Sequence, residues 1–405
     1  MPIVGFYFFY FGAVGILVPY LPPYLRSLGL SGAEIGALMS IAPLLMIVVP
    51  PIWGYLADRT QRITSMLKLA ALGTALAFAP LVGISVFWVL AAALVVHAVF
   101  FTPITALADT VAIAEARRLG TEYARLRLWG SVGFVVANFG FAMHLERGGA
   151  PGHAVLAVTG LFFAAATVAL VLRPIPAARR APSLREALRL AGDLRLLAFL
   201  FAGALHWASA APYHILFAVH LDDLGVLPRF IGLGFALAVA AEVAMMWMFT
   251  RLRRFAELRW LLTIAFFATA LRWLLTASAS TGWVLASVQV LHGLTFGVFY
   301  VASIAYLERA VPGALLGTGR ALFSALAMGL GGAGGNALAG ALYDVGGGSL
   351  AFLAAAGLSL LAPVLLAFAA AGPRAPQGQT PSATQISSSA RVWGTRRGRA
   401  KARRR

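Results

Sequence analysis

RPIPAARRAPSLREALRLAGDLR, residues 173–195, is the longest polar stretch inside an otherwise apolar chain, and it stands close to the middle. Its Pro-Ala-Arg beginning reads as a flexible linker. Its second part, SLREALRL, has Ser183 and Glu186 at capping-box spacing and sets Leu184 and Leu188 against basic residues on the opposite helical face, which predicts a short interfacial helix. On each side of the stretch lie six apolar segments, near residues 3–25, 34–57, 66–84, 86–114, 126–145 and 153–172, then 195–219, 230–250, 259–277, 282–307, 319–343 and 349–371. A membrane span needs about 20 apolar residues, because lipid offers no partner to backbone N–H and C=O groups and a helix satisfies them internally. The expected organisation is therefore a bundle over 1–172, a linker with its short helix over 173–194, a second bundle over 195–371 and a disordered basic tail over 372–405.

Composition agrees. The chain has 405 residues, 60% of them hydrophobic and only 11% charged, with a mean hydropathy of +0.85, whereas soluble domains carry charge on about a quarter of their residues. It holds no cysteine, which excludes disulfides, thiolate metal sites and cysteine nucleophiles. The start, MPIVGFYFFYFGAVGILVPYLPPYL, lacks the basic segment and cleavage site of a signal peptide and reads as a retained first span.

If the first span starts in the cytoplasm, only Arg26, Arg147 and Arg229 fall outside and Arg272 lies within a span; the other 28 of the 32 basic residues face the cytoplasm. That asymmetry follows the positive-inside rule and predicts cytoplasmic N- and C-termini. The tail from Gly372 to Arg405 holds nine basic residues and no acidic one. It reads as a tail near acidic lipid headgroups, and no nucleic-acid partner is expected.

The halves echo one another. EIGALMSIAPL and FIGLGFALAVA place Gly36 and Gly232 196 positions apart, and RLRLWGS and GRALFSA place Arg127 and Arg320 193 apart, which suggests a parallel duplication. Motifs of soluble chemistry are absent or accidental. GLGGAG at residues 329–334 fits G-x-G-x-x-G, but it lies inside an apolar helix and reads better as small residues for close packing. No HExxH, Walker loop or nucleophile elbow is present, so no enzyme activity is expected.

The sharper signal is charge within spans, which costs several kcal/mol by order of magnitude and marks a functional site by default. Glu242 lies twelve residues, about 18 Å, into the eighth span; Arg272 lies thirteen residues into the ninth, and His292 ten residues, about 15 Å, into the tenth. All three are expected at middle depth, with the composition of a proton relay, although Glu242 and Arg272 could also be a buried pair serving helix association. Asp109 in TALADTVAIA and Arg127 in RLRLWGSVG are the counterparts in the first half, where a helix-end acid and a positive-inside anchor are the plainer readings. His97, His206 and His214 read as satisfied core or cavity histidines.

GYLADRTQR, residues 54–62, resembles the loop signature of the major facilitator superfamily, G-x-x-x-D-[RK], carried by Gly54, Asp58 and Arg59 with Arg62 beyond; Gln61 stands where a glycine is usual. The resemblance implies that Asp58 caps or pairs at a neighbouring helix terminus and stabilises one transport state. GFYFFYFGAVGILVPYLPPYL, EIGALMSIAPL, RLRLWGSVGF, LRWLL and LHGLTFG further resemble the branch that contains the phenylpropionate permeases, with the lactose permeases more distant. Over residues 1 to about 370 this implies an all-α polytopic protein of twelve transmembrane helices in two pseudo-symmetric six-helix bundles.

By the lactose permease pattern, Asp109 and Arg127 match a substrate-binding acid and its arginine partner. Phe134 takes the place of a substrate-stacking tryptophan, and Glu242, Arg272 and His292 match the helix-eight, -nine and -ten coupling residues, with His292 linking proton and substrate sites. Thr295 stands where those permeases carry the carboxylate that releases the coupled proton, and their paired helix-seven acids have no clear match. The resemblance thus implies a monomeric transporter in the cell inner membrane, carrying a small organic solute together with protons, driven by a proton gradient and needing no cofactor or metal. Phe134, Trp207 and Trp273 would supply an aromatic cavity wall. Proton-driven efflux is the alternative, disfavoured because GSVGFVVANFGFAM in span five has no proline. A membrane-embedded sensor or enzyme would need a metal-ligand or nucleophile cluster, or an attached signalling domain.

Overall fold

The structure is a computed structural model that describes residues 1–175, 190 and 192–370. The helix expected in SLREALRL and the tail over 372–405 lie outside the described residues, apart from Leu190. All regular structure among the described residues is helical. The first half contains α1 (Pro2–Ser27), α2 (Gly32–Thr60), α3 (Ile63–Leu81), α4 (Phe87–Leu119), α5 (Tyr123–Glu146) and α6 (His153–Leu170). The second contains α7 (Leu194–Ile215), α8 (Arg229–Phe255), α9 (Leu258–Ser278), α10 (Gly282–Ala310) and one helical run, Leu316–Ala369.

That last run, at 54 residues, would be about 80 Å long if straight, more than twice the hydrocarbon thickness of a bilayer. It is two spans. Gly346 (φ −150°, ψ 24°) and Gly347 (φ +68°, ψ −170°) leave helical geometry and divide it into α11 (316–345) and α12 (348–369). The positive φ at Gly347 is a conformation that a residue with a Cβ rarely adopts. Twelve spans result among the described residues, six in each half.

Backbone contact through small residues sets the packing, as expected where lipid supplies no hydrophobic drive between helices. A Cβ at Gly15 of α1 would lie 2.5 Å from the Phe134 carbonyl oxygen of α5, and a Cβ at Gly335 of α11 would lie 2.5 Å from the Ala208 carbonyl oxygen of α7. The two bundles therefore use equivalent helix pairs. Contacts between bundles repeat the symmetry: Gly36 of α2 meets Asn336 of α11, while Gly232 of α8 meets Phe139 and Ala142 of α5. Gly36 and Gly232, whose spacing suggests a duplication, occupy equivalent places.

Polar links between bundles gather at one face. Arg26 at the end of α1 pairs with Asp223 at 2.5 Å, and Arg229 at the start of α8 pairs with Glu146 at the end of α5. The Asp344 carboxylate near the end of α11 accepts from the N–H groups of Gly32 (2.6 Å) and Ala33 (2.8 Å), supplying acceptors to the otherwise unpaired start of α2. Slightly deeper, Ser40 donates to the Ala333 carbonyl and Asn336 to that of Met39. Apolar contact continues to Gly329 against Ile47 and Pro43, but a Cβ at Gly54 would meet nothing within 4 Å. Near the opposite face the ion pairs Arg118–Glu115, Arg259–Glu257 and Arg320–Glu308 each stay within one bundle. Among the described residues the polar links between the halves gather at the α1/α2 face, and none is found near the 54–62 loop.

Candidate functional site

The second bundle builds its cluster around Arg272, which is 1% exposed. Its Nε and Nη2 donate to Gln289 Oε1 at 2.9 and 2.6 Å, and Nη1 donates to Thr295 Oγ1 at 3.0 Å and to His292 Nδ1 at 2.9 Å. The guanidinium also stacks 4.3 Å from the Tyr213 ring centroid and 4.4 Å from that of Trp273. A buried cation is tolerable only when its donors are satisfied, and here almost all are used within the protein.

The arginine also fixes the histidine. Because Nδ1 of His292 accepts from Arg272, the neutral ring carries its proton on Nε2. That nitrogen lies 3.5 Å from Glu242 Oε2. The approach depends on LHGLTFG: a Cβ at Gly293 would lie 2.7 Å from the Ala241 carbonyl oxygen, and one at Gly297 would lie 3.1 Å from that of Glu242. Two glycines four residues apart let α10 run against α8 at the glutamate. Between them, Gly293–Val298 forms a π-helical turn, a distortion often found at functional sites. His206 of α7, itself buried, is 2.7 Å from the Thr295 carbonyl oxygen within that turn.

Arg272, His292 and Glu242 thus come together as a chain with the histidine in the middle. Glu242 and Arg272 form no direct ion pair, which corrects the buried-pair reading: the imidazole occupies the space between them. Thr295, which is no acid, remains a partner of the arginine. Gln289 was missed in the sequence. Its signal is an amide three residues before His292, on the same helical face of an apolar span.

The first-half cluster is looser. Asp109 of α4, lying past the bend at Thr102–Pro103, accepts from the Tyr7 hydroxyl of α1 at 2.7 Å. Arg127 of α5 lies over the Phe11 ring, 3.8 Å from its centroid, and 5.4 Å from that of Tyr7. No ion pair within 4.0 Å joins Asp109 and Arg127, so the arginine-partner expectation is corrected: Tyr7 holds the acid and aromatic faces hold the cation. Tyr7 and Phe11, one turn apart on α1, were not singled out in the sequence. Half-buried Phe134 reaches across the bundles to Phe235, ring centroids 6.2 Å apart. Trp207 is half-buried, but Trp273 is 1% exposed and packs between Arg272 and Phe352, so it offers no ring to a solute. His97 is a core histidine, its Nδ1 3.3 Å from the Thr74 carbonyl oxygen.

At the loop, Arg59 and Arg62 are exposed, and Asp58 has no ion-pair partner within 4.0 Å among the described residues. Gln61 adopts φ +54° and ψ +31°, the left-handed conformation that glycine takes without cost, and its Nε2 donates to the Asp58 carbonyl at 2.7 Å. No group of three or more His, Cys, Asp or Glu residues that could hold a metal occurs among the described residues.

The profile of the MFS_1 like family matches residues 1–354. A maltose permease of Geobacillus stearothermophilus is 31% identical over 337 residues, covering 80% of this chain and 83% of the relative. A probable 3-phenylpropionic acid transporter of Escherichia coli is 27% identical over 333 residues, covering 80% and 86%. Among solved structures, the nucleoside transporter NupG superposes with a TM-score of 0.82 at 16% identity, covering 92% of this chain and 99% of that one.

Proposed function

The chain belongs to the MFS_1-like family of the major facilitator superfamily, multi-pass membrane transporters of small solutes, and from that premise we propose that it is a proton-coupled symporter working by alternating access. The observation that carries the coupling is the chain Arg272–His292–Glu242. Glu242 is the proton acceptor, and its side chain is 24% exposed, so solvent can reach it. His292 passes the state of that carboxylate to an arginine otherwise held by the protein, and it links the proton site to the solute site. Arg272 is the modulating charge.

Asp109, Arg127 and Phe134 form the solute-binding side. Arg127 presents a guanidinium backed by an aromatic ring, and such a surface suits a small organic solute with a ring or sugar face and polar or anionic groups. Aromatic carboxylates, sugars and nucleosides are the classes to try first, given the maltose, phenylpropionate and nucleoside transporters among the similar proteins. The 28 basic residues on one side support cytoplasmic termini in a cell inner membrane, and make the fastened α1/α2 face the outer one. The conformation is then inward-facing, and Gly54, Asp58, Arg59 and Arg62 form a gate released in this state. A monomer suffices, with both clusters built within one chain.

Uptake into proteoliposomes tests the reading. Accumulation of one of these solutes under an imposed pH gradient, abolished by a protonophore and indifferent to a sodium gradient, is expected. Accumulation that follows sodium, or extrusion against the proton gradient, would overturn symport with protons.

A further inference from the structure

Behind the Arg272 cluster, on the side of α7, lies a cavity of about 20 Å³ lined by residues that include His206, Trp207, Tyr213, Trp273 and Thr295. Four buried polar atoms without a partner belong to these lining residues: His206 Nδ1, Trp207 Nε1, Tyr213 Oη and Trp273 Nε1. His206, Tyr213 and Trp273 are 3%, 3% and 1% exposed. A buried polar group left unpaired costs about 1–3 kcal/mol, so four on residues lining one small space favour a guest that can pair with them.

The chemistry of the four selects the guest. His206 donates through Nε2 to the Thr295 carbonyl, so its neutral ring offers a lone pair at Nδ1. The two indoles offer only donors, and the tyrosine offers either. A cation would face N–H groups and the charge of Arg272. An anion would satisfy the donors but oppose the His206 lone pair. Water accepts from both indoles and donates to His206 Nδ1 and Tyr213 Oη, and a cavity of this size holds about one water.

We propose that this cavity is a hydration site, occupied by ordered water that joins His206 and Tyr213 to the back of the Arg272–His292–Glu242 chain. The link runs through Tyr213, whose ring the guanidinium covers, and through Thr295, whose hydroxyl holds Arg272 while its carbonyl holds His206. His206 is thereby a positioning residue for coupling, a role that rests on the proton-coupled reading above; the presence of the water does not.

An experimental structure at about 2 Å resolution, solved from bromide-containing buffer, tests occupancy. Density for water within hydrogen-bond distance of at least three of the four atoms, without anomalous signal, is expected. A dry cavity, or an anomalous bromide peak, would overturn the site even if transport proved proton-coupled. His206→Gln tests the role, because it keeps a donor for the Thr295 carbonyl but removes Nδ1. A shift of about one unit in the pH profile of gradient-driven uptake, at unchanged thermal stability, is expected. An unchanged profile with His206→Gln would overturn the positioning role, whereas absence of gradient-driven uptake in the parent would instead remove the symport reading.

Discussion

Arg127 and Arg272 are both guanidiniums in apolar helices, but they are held in opposite ways. Arg272 is sealed: Gln289, His292 and Thr295 take four hydrogen bonds from it, and the Tyr213 and Trp273 rings lie against it. Arg127 is half-buried over Phe11 with no carboxylate bound to it, and the nearby acid is occupied by Tyr7. A sealed cation cannot exchange protein partners for a solute without leaving buried groups unpaired. An arginine resting on a ring can. Under the proposed symport the pseudo-symmetric halves divide labour, one side presenting binding groups and the other storing and sensing charge.

The largest test of this division is Glu242→Gln. The amide keeps shape and hydrogen bonding but cannot release a proton, so accumulation driven by a pH gradient should fall to the level of empty vesicles while counterflow of preloaded solute persists. Coupled uptake at the parental level would move the proton to Asp109 or His292. Next is the seal itself. Gln289→Leu removes the acceptor of two charge-assisted hydrogen bonds and should cost about 3 kcal/mol of stability, read as a lower thermal midpoint in detergent. Adding Arg272→Met should restore most of that loss, because an apolar pair needs no partners. If the double variant is no more stable than the single one, the guanidinium is not what Gln289 serves.

Arg127→Lys probes the open side with a smaller effect. Charge is retained but the planar fork and its stacking on Phe11 are lost, so solute affinity should weaken about tenfold, or about 1.4 kcal/mol, with little change in thermal midpoint. Parental affinity in the lysine variant would return Arg127 to the role of a positive-inside anchor.

Much of this arrangement was legible as periodicity and cost. The apolar runs, the central linker and the offsets of Gly36 and Gly232 led to twelve helices in two related bundles, and the price of intramembrane charge led to Glu242, Arg272 and His292. Hydrogen-bond partners were not legible, because a neutral amide or hydroxyl in an apolar span is cheap enough to escape notice. Gln289, Tyr7 and the unpaired atoms around the cavity behind Arg272 belong with them. The misreading of Trp273 has the same origin: one helical position separates it from Arg272, and helix direction, which sequence spacing leaves open, turns it inward.

The smallest test concerns the loop where the chain departs from its family signature. Gln61 stands at the position where glycine is usual, and the structure gives the reason for glycine: φ there is +54°, and no other non-glycine residue has a positive φ among those described. For an L-residue this conformation costs about 1–2 kcal/mol. The side-chain bond from Gln61 to the Asp58 carbonyl is exposed and offsets only part of that. Gln61→Gly should therefore stabilise the loop conformation by up to about 1 kcal/mol, visible as a thermal midpoint raised by a few degrees, while Gln61→Val, β-branched and unable to form the bond, should lower it. If glycine lowered the midpoint instead, the Asp58 contact would outweigh the backbone strain, and the glutamine would be a stabilising replacement in the loop rather than a tolerated departure.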